Sequence, residues 1–202
     1  ILFVMCIVIF KHNFITKKTL STKVQEKSKI DSNIELTKYS NIEVSKDSSQ
    51  FVVCIDPGHG GYDVGAKRFM GVFEKDITLN VAITVGKILE KKNIKVIYTR
   101  TSDDIMWPSN EKEDLRKRID VSNKANANLF ISIHCNADSN RSLKGIETWC
   151  RFTNTDGEKL ARNIQNELVF NNYSQDRGLK YESNGSLAVL KLNKSVSALV
   201  EL

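Results

Sequence analysis

Residues 51–61, FVVCIDPGHGG, carry the reading that decides the fold. The five residues from Phe51 to Ile55 form an apolar, largely β-prone run that suits a buried strand. The run ends in Asp56 and Pro57, after which His59 stands between Gly58 and Gly60, where few bulky neighbours can crowd it. In an open α/β sheet, ligands gather at the carboxyl ends of the strands, so this loop is the place to look for a site. Gly58, Gly60, Gly61 and Gly65 are expected to take positive φ angles and to let the backbone approach a ligand closely. Neither G-x-G-x-x-G nor G-x-x-x-x-G-K-[ST] is present, and the dinucleotide reading falls away.

Outward from this strand the pattern alternates. Ile77, Val81, Val85, Ile88 and Leu89 recur at three- and four-residue spacing and predict a helix from about Asp76 to Lys92. IKVIYT (94–99) reads as a strand, and Leu115 and Ile119 mark a helix from about Glu113 to Ala127. LFISIH (129–134) is a strand apolar enough for burial on both faces, and GIETWC (145–150) looks like another. Leu160, Ile164 and Leu168 line a helix from about Gly157 to Phe170, and the chain finishes with SLAVLK (186–191) and SALVEL (197–202). Strands separated by single helices predict an α/β fold with a mostly parallel, twisted sheet and helices on both faces.

The first ten residues, ILFVMCIVIF, are wholly apolar, too few to span a bilayer, which takes about 20. We read residues 1–15 as part of a membrane anchor or signal segment whose start precedes Ile1, and residues 16–50, rich in Lys, Ser, Thr, Asn and Glu, as a solvated spacer. This predicts a single folded domain over 51–202, on the extracytoplasmic side. Residues 1–50 carry eight Lys against five acids and residues 51–202 carry 22 basic against 19 acidic side chains, so the net charge of +6 divides into +3 and +3. Spread this thinly it forms no patch or stripe along the sequence, and a nucleic-acid partner is not expected. Cys54 reads as a small buried hydrophobe, Cys135 and Cys150 could pair if their strands are neighbours, and no CxxC motif suggests a cysteine metal site.

Of three histidines, His12 lies in the amino-terminal segment, and His59 and His134 each stand at the carboxyl end of a predicted strand. Together they favour one shared site. A hydrolytic zinc takes about three protein ligands and keeps an open position. Glu74, beside the helix that begins near Asp76, is the best third ligand; Asp56 and Asp63 compete, with Asp56 better suited to bind the loop or orient a histidine. Cys135 should face away from the site, because successive strand residues point to opposite faces. Glu201 ends the apolar run Ala198–Val200, where a carboxylate fits only at the sheet edge, and it is the candidate general base.

IDPGHGG, FEKD with Glu74, Thr99-Arg100, LRKRI around Arg118, FISIHCNA, GIETW and ALVEL, taken in this order, resemble the zinc-dependent N-acetylmuramoyl-L-alanine amidases of the bacterial cell wall. The resemblance covers nearly all of 51–202. It implies one zinc held by His59, Glu74 and His134, Glu201 as catalytic acid/base, and cleavage of the muramoyl–alanine amide of peptidoglycan. That family continues beyond its catalytic glutamate with a Gly-Phe-Leu-Ser-Asn-like segment and a closing helix, so the resemblance predicts a carboxyl-terminal truncation at Leu202. Another zinc peptidase or deacetylase would use the same groups, and an inactive wall-binding module is the further alternative.

Overall fold

The computed structural model describes residues 50–66, 71–105, 110–137, 144–182 and 186–202. The expected anchor (1–15) and almost all of the expected spacer (16–50) lie outside them, as do Trp107 and Pro108. Among the described residues no helix is long and apolar enough to cross a membrane.

Six strands form one sheet: β1 (Val52–Pro57), β2 (Lys95–Tyr98), β3 (Leu129–His134), β4 (Ile146–Cys150), β5 (Asp176–Tyr181) and β6 (Val196–Glu201). Their order is β2-β1-β3-β6-β4-β5. β2, β1, β3 and β6 run parallel; β4 is antiparallel to β6, and β5 is parallel to β4. The helices are α1 (Glu74–Glu90), α2 (Glu111–Lys124), α3 (Asp156–Phe170) and the short α4 (Ala188–Lys191). Asn110 and Thr155 cap α2 and α3 by accepting the backbone N–H groups of Glu113 and Glu158.

Alternation along the strands divides the core in two. Val53, Ile55, Leu129, Ile131, Ile133, Ala198 and Val200 point to one face and pack against Ala82 and Leu89 of α1 and Leu160 and Ile164 of α3. Cys54, Phe130 and Leu199 point to the other and meet Ile119 of α2 and Val189 and Leu190 of α4. Full burial of a side chain such as Phe130 contributes about 1.5–3 kcal/mol.

This is the α/β architecture expected, with three refinements. The stripe of α1 that is wholly buried runs through Thr78, Ala82 and Leu89, while Val81, Val85 and Ile88 pack half-buried beside it, because small residues let the helix sit close to the sheet. β5, DRGLKY, was not expected: it is a polar edge strand with Gly178 at φ +76°, so it lacks alternation. Within SLAVLK, to which the sequence assigned no element type, Ala188–Lys191 form α4. Cys54, Cys135 and Cys150 are buried, and the Cys135–Cys150 disulfide does not form, since β6 lies between β3 and β4.

Candidate metal centre and active site

Parallel pairing brings the carboxyl ends of β1, β3 and β6 to one edge. Pro57 is in register with Ile133, and His134 is in register with Glu201. His134 and Glu201 share a face with Phe130 and Leu199, since each lies an even number of residues further along its strand. β4 adds Glu147 on that same face, because it pairs directly with Glu201 across the antiparallel seam.

Three ligand atoms converge there. His59 Nε2 lies 3.1 Å from Glu74 Oε1, His134 Nδ1 lies 3.3 Å from the same oxygen, and the two imidazole nitrogens are 3.1 Å apart. Ligands about 2.0–2.1 Å from one tetrahedral ion stand about 3.3 Å from each other, so this triangle has the right size for such an ion. Its chemistry fits too. His59 Nδ1 donates to Asp63 Oδ2 at 2.8 Å, which turns the Nε2 lone pair toward His134 and Glu74. Two such nitrogens face to face repel unless a proton or cation lies between them. The rings meet nearly edge to face, at 78°, rather than stacking.

Each ligand is held from behind. His59 takes φ +61°, unusual for a residue with a side chain, and its loop is pinned to sustain it. Arg100 donates to the carbonyls of Pro57 and Gly58, and Arg118 to those of Pro57 and His59, so three consecutive carbonyls are fixed by two buried guanidinium groups. Gly58 is required by proximity rather than by φ: a Cβ there would stand 2.4–2.7 Å from atoms of the His134 ring. At Gly65, φ is +63° and a Cβ would meet both His59 and Glu74 within 2.8 Å. Glu74 is the first residue of α1, and its carboxylate accepts the backbone N–H groups of Ala66 and Cys135, each at 2.9 Å. Burial alone would raise its pKa, but the two histidines and these N–H donors hold it well below the usual carboxylate range. For His59, burial is outweighed by Glu74 and Asp63, and the imidazole sits above its ordinary value. Burial pushes Glu201 up to about 7, the nearby Glu74 and Glu147 acting in the same direction and His134 and His59 against it. The site opens into a cleft of about 390 Å³ whose far wall includes Glu111, Leu115, Asn136, Ser186 and Leu187.

The sequence thus pointed to the three groups that converge, and Cys135 contributes its backbone, not its thiol. Its assignment for Asp56 needs correction. Asp56 accepts from Arg118, Thr99 and Ser132, not from a histidine; Asp63, four residues beyond His59, is the orienting carboxylate. Glu147 escaped notice, since only strand pairing puts it beside Glu201, and Arg100 and Arg118 were visible as motif residues without a role.

An α/β sheet with a two-histidine, one-carboxylate cradle at its carboxyl edge defines a domain built around a candidate mononuclear metal centre. Residues 53–202 match the family described as N-acetylmuramoyl-L-alanine amidase, and the chain belongs to that family, whose members are hydrolases. It is 39% identical over 124 residues to the germination-specific N-acetylmuramoyl-L-alanine amidase of Bacillus subtilis (strain 168), covering 58% of this chain and 52% of that protein. To N-acetylmuramoyl-L-alanine amidase LytC of the same organism it is 33% identical over 151 residues, 74% of this chain and 28% of the relative. The chain therefore spans about half the length of the first relative and about a quarter of the second. Among solved structures, the N-acetylmuramoyl-L-alanine amidase from Clostridium difficile 630 superimposes with a TM-score of 0.67 at 34% identity, over 76% of this chain and 80% of that one.

Proposed function

We propose that this chain hydrolyses peptidoglycan as a zinc-dependent N-acetylmuramoyl-L-alanine amidase, cutting the amide between the lactyl group of N-acetylmuramic acid and the first L-alanine of the stem peptide. The observation that carries the reading is the triangle of His59 Nε2, His134 Nδ1 and Glu74 Oε1 with sides of 3.1–3.3 Å, with Glu201 on the adjoining strand. Those three residues would hold the ion. Bound zinc supplies Lewis acidity, polarising the scissile carbonyl and lowering the pKa of water toward about 7.

The remaining work belongs to the protein. Asp63 keeps His59 in the tautomer that presents Nε2, and the N–H groups of Ala66 and Cys135 keep Glu74 ionised and aimed. Glu201 removes a proton from the attacking water and returns it to the alanine nitrogen as the C–N bond breaks. A carboxyl held at about 7 can both accept and release a proton near neutral pH. The cleft gives the glycan–peptide junction access to one side of the centre. Residues 51–202 form the catalytic domain in this proposal, with 1–15 as a membrane-anchoring or signal segment and 16–50 as a spacer that puts the enzyme on the wall side of the membrane.

The test is Glu201→Gln assayed on intact peptidoglycan. The variant should retain stoichiometric zinc yet lose turnover by a factor of 10² or more, the order expected for removal of a general acid/base. In the unaltered protein, new amino-terminal alanine and free muramic lactyl carboxylates should appear together. Full activity in the variant would remove Glu201 from its role, and cleavage elsewhere in the stem, or of an acetyl group, would replace the amidase reading with a peptidase or deacetylase.

A further inference from the structure

The edge of the sheet opposite the metal centre has a character of its own. It is made by the amino ends of β2, β1, β3 and β6 and, because β4 runs antiparallel, by the carboxyl end of β4. The connections along it carry Lys91 and Lys92 before β2, Lys124 before β3, Lys191 and Lys194 before β6, and Arg151 after β4. Arg151 Nη1 donates to the carbonyl of Lys191, so the last two connections adjoin. All five lysines are exposed, and Glu90 and, one turn before Lys124, Asp120 are exposed acids beside them. Asp156 and Glu158, in the following turn, are paired with Lys159 and Arg162. Two apolar side chains stand out from this row, Phe152 at 44% and Leu192 at 51% exposure, with the Arg151 guanidinium 4.5 Å over the Phe152 ring.

The opposite edge is acidic. Asp63, Glu74, Glu111, Asp114 and Glu201 line the cleft, and Asp103 pairs with Lys75 beside it. Among the described residues, the exposed lysines before β2, β3 and β6 therefore stand at one edge of the sheet and the cleft-lining carboxylates at the other, an arrangement that the sequence alone does not display.

We propose that the basic edge is a docking surface for anionic lipid headgroups, so that the folded domain rests on the membrane with its acidic cleft turned away. Three observations favour a lipid surface over another anionic partner. The row follows the amino ends of β2, β3 and β6, so its charges are spread across the width of the sheet rather than gathered into one pocket, which suits an extended charged surface. Exposed apolar side chains among the lysines suit the headgroup–acyl boundary. Residues 1–49 join the domain at this same edge, next to Val52, and their first ten residues are wholly apolar. Each lysine near an anionic leaflet contributes about fivefold to partitioning.

The proposal is tested without any turnover, so it stands or falls separately from the amidase reading. The full chain is measured for partitioning into vesicles of phosphatidylglycerol mixed with phosphatidylcholine and of phosphatidylcholine alone, beside Lys92→Gln/Lys124→Gln/Lys194→Gln. The apolar segment is common to both proteins and cancels. The triple variant should bind mixed vesicles on the order of a hundredfold more weakly and neutral vesicles equally. For the unaltered chain, which needs no variant, raising the ionic strength from about 0.05 to about 0.5 M should abolish the preference for mixed vesicles. Equal binding by variant and unaltered chain, or a salt-independent preference, would overturn it. So would release of the unaltered chain from vesicles by a soluble polyol-phosphate polymer at matched phosphate, which would assign the row to a wall polymer.

Discussion

His59 concentrates the logic of the site. Its left-handed φ, its Asp63 partner and its pinned carbonyl all serve to aim one nitrogen. Because the orienting bond is made by a carboxylate, Asp63→Asn should leave the loop in place and weaken zinc binding about 10–100-fold. Competition against a chromophoric chelator measures this, and an unchanged Kd would show that His59 needs no such partner. His59, His134 and Glu74 were legible because histidines are scarce and both stand where strands end. Asp63 was not, since a loop residue four positions away reaches the ring only through the actual turn geometry.

Between elements, the bond that matters most is polar. Asp56 at the end of β1 accepts from Thr99 after β2, Ser132 on β3 and Arg118 on α2, joining four elements at one buried carboxylate. Burial would raise its pKa, but the Arg118 charge and the two hydroxyl donors hold it below the ordinary value. Its folded pKa thus lies under the unfolded value of about 3.9. The stability it lends is complete above about pH 3.9 and is lost as pH falls through the folded pKa. Asp56→Asn, which leaves Arg118 short of a partner, should cost about 3–5 kcal/mol at neutral pH and flatten the acid limb of stability. Urea midpoints between about pH 6 and 2 would reveal it; an equally steep limb in the variant would acquit Asp56. Periodicity found α1, α2 and α3 because each carries an apolar stripe, yet it could not find this seam, since the buried face of α2 holds Asp114 and Arg118. Nor could it foresee that β4 runs backwards: no described helix separates it from β3, and a strand read alone carries no direction.

At the scale of the molecule, the three ligands come from the loop after β1, the start of α1 and the end of β3, so an ion there ties together segments that meet only on folding. Binding restricted to the native state adds about 2.7 kcal/mol at a free concentration of 100 Kd. For a domain of this size, thermal midpoints should rise by roughly 5–10 °C on adding zinc and fall back with a chelator. A midpoint indifferent to zinc would mean that the three groups do not hold it. The two-layer helix arrangement was legible from the alternation of patterns, whereas the electrical polarity of the domain was not, because it arises only when strand ends are brought into line.

The buried cysteines bear on the wall-side location proposed above. Cys54 and Cys150 are sealed in the core, where burial pushes their thiols up to about 12 and about 11, leaving almost no reactive thiolate. With no disulfide among the described residues, the fold of those residues does not wait on oxidation. On the proposed wall side of the membrane such a domain needs no thiol oxidase to fold, and reducing agents in its surroundings should leave it intact.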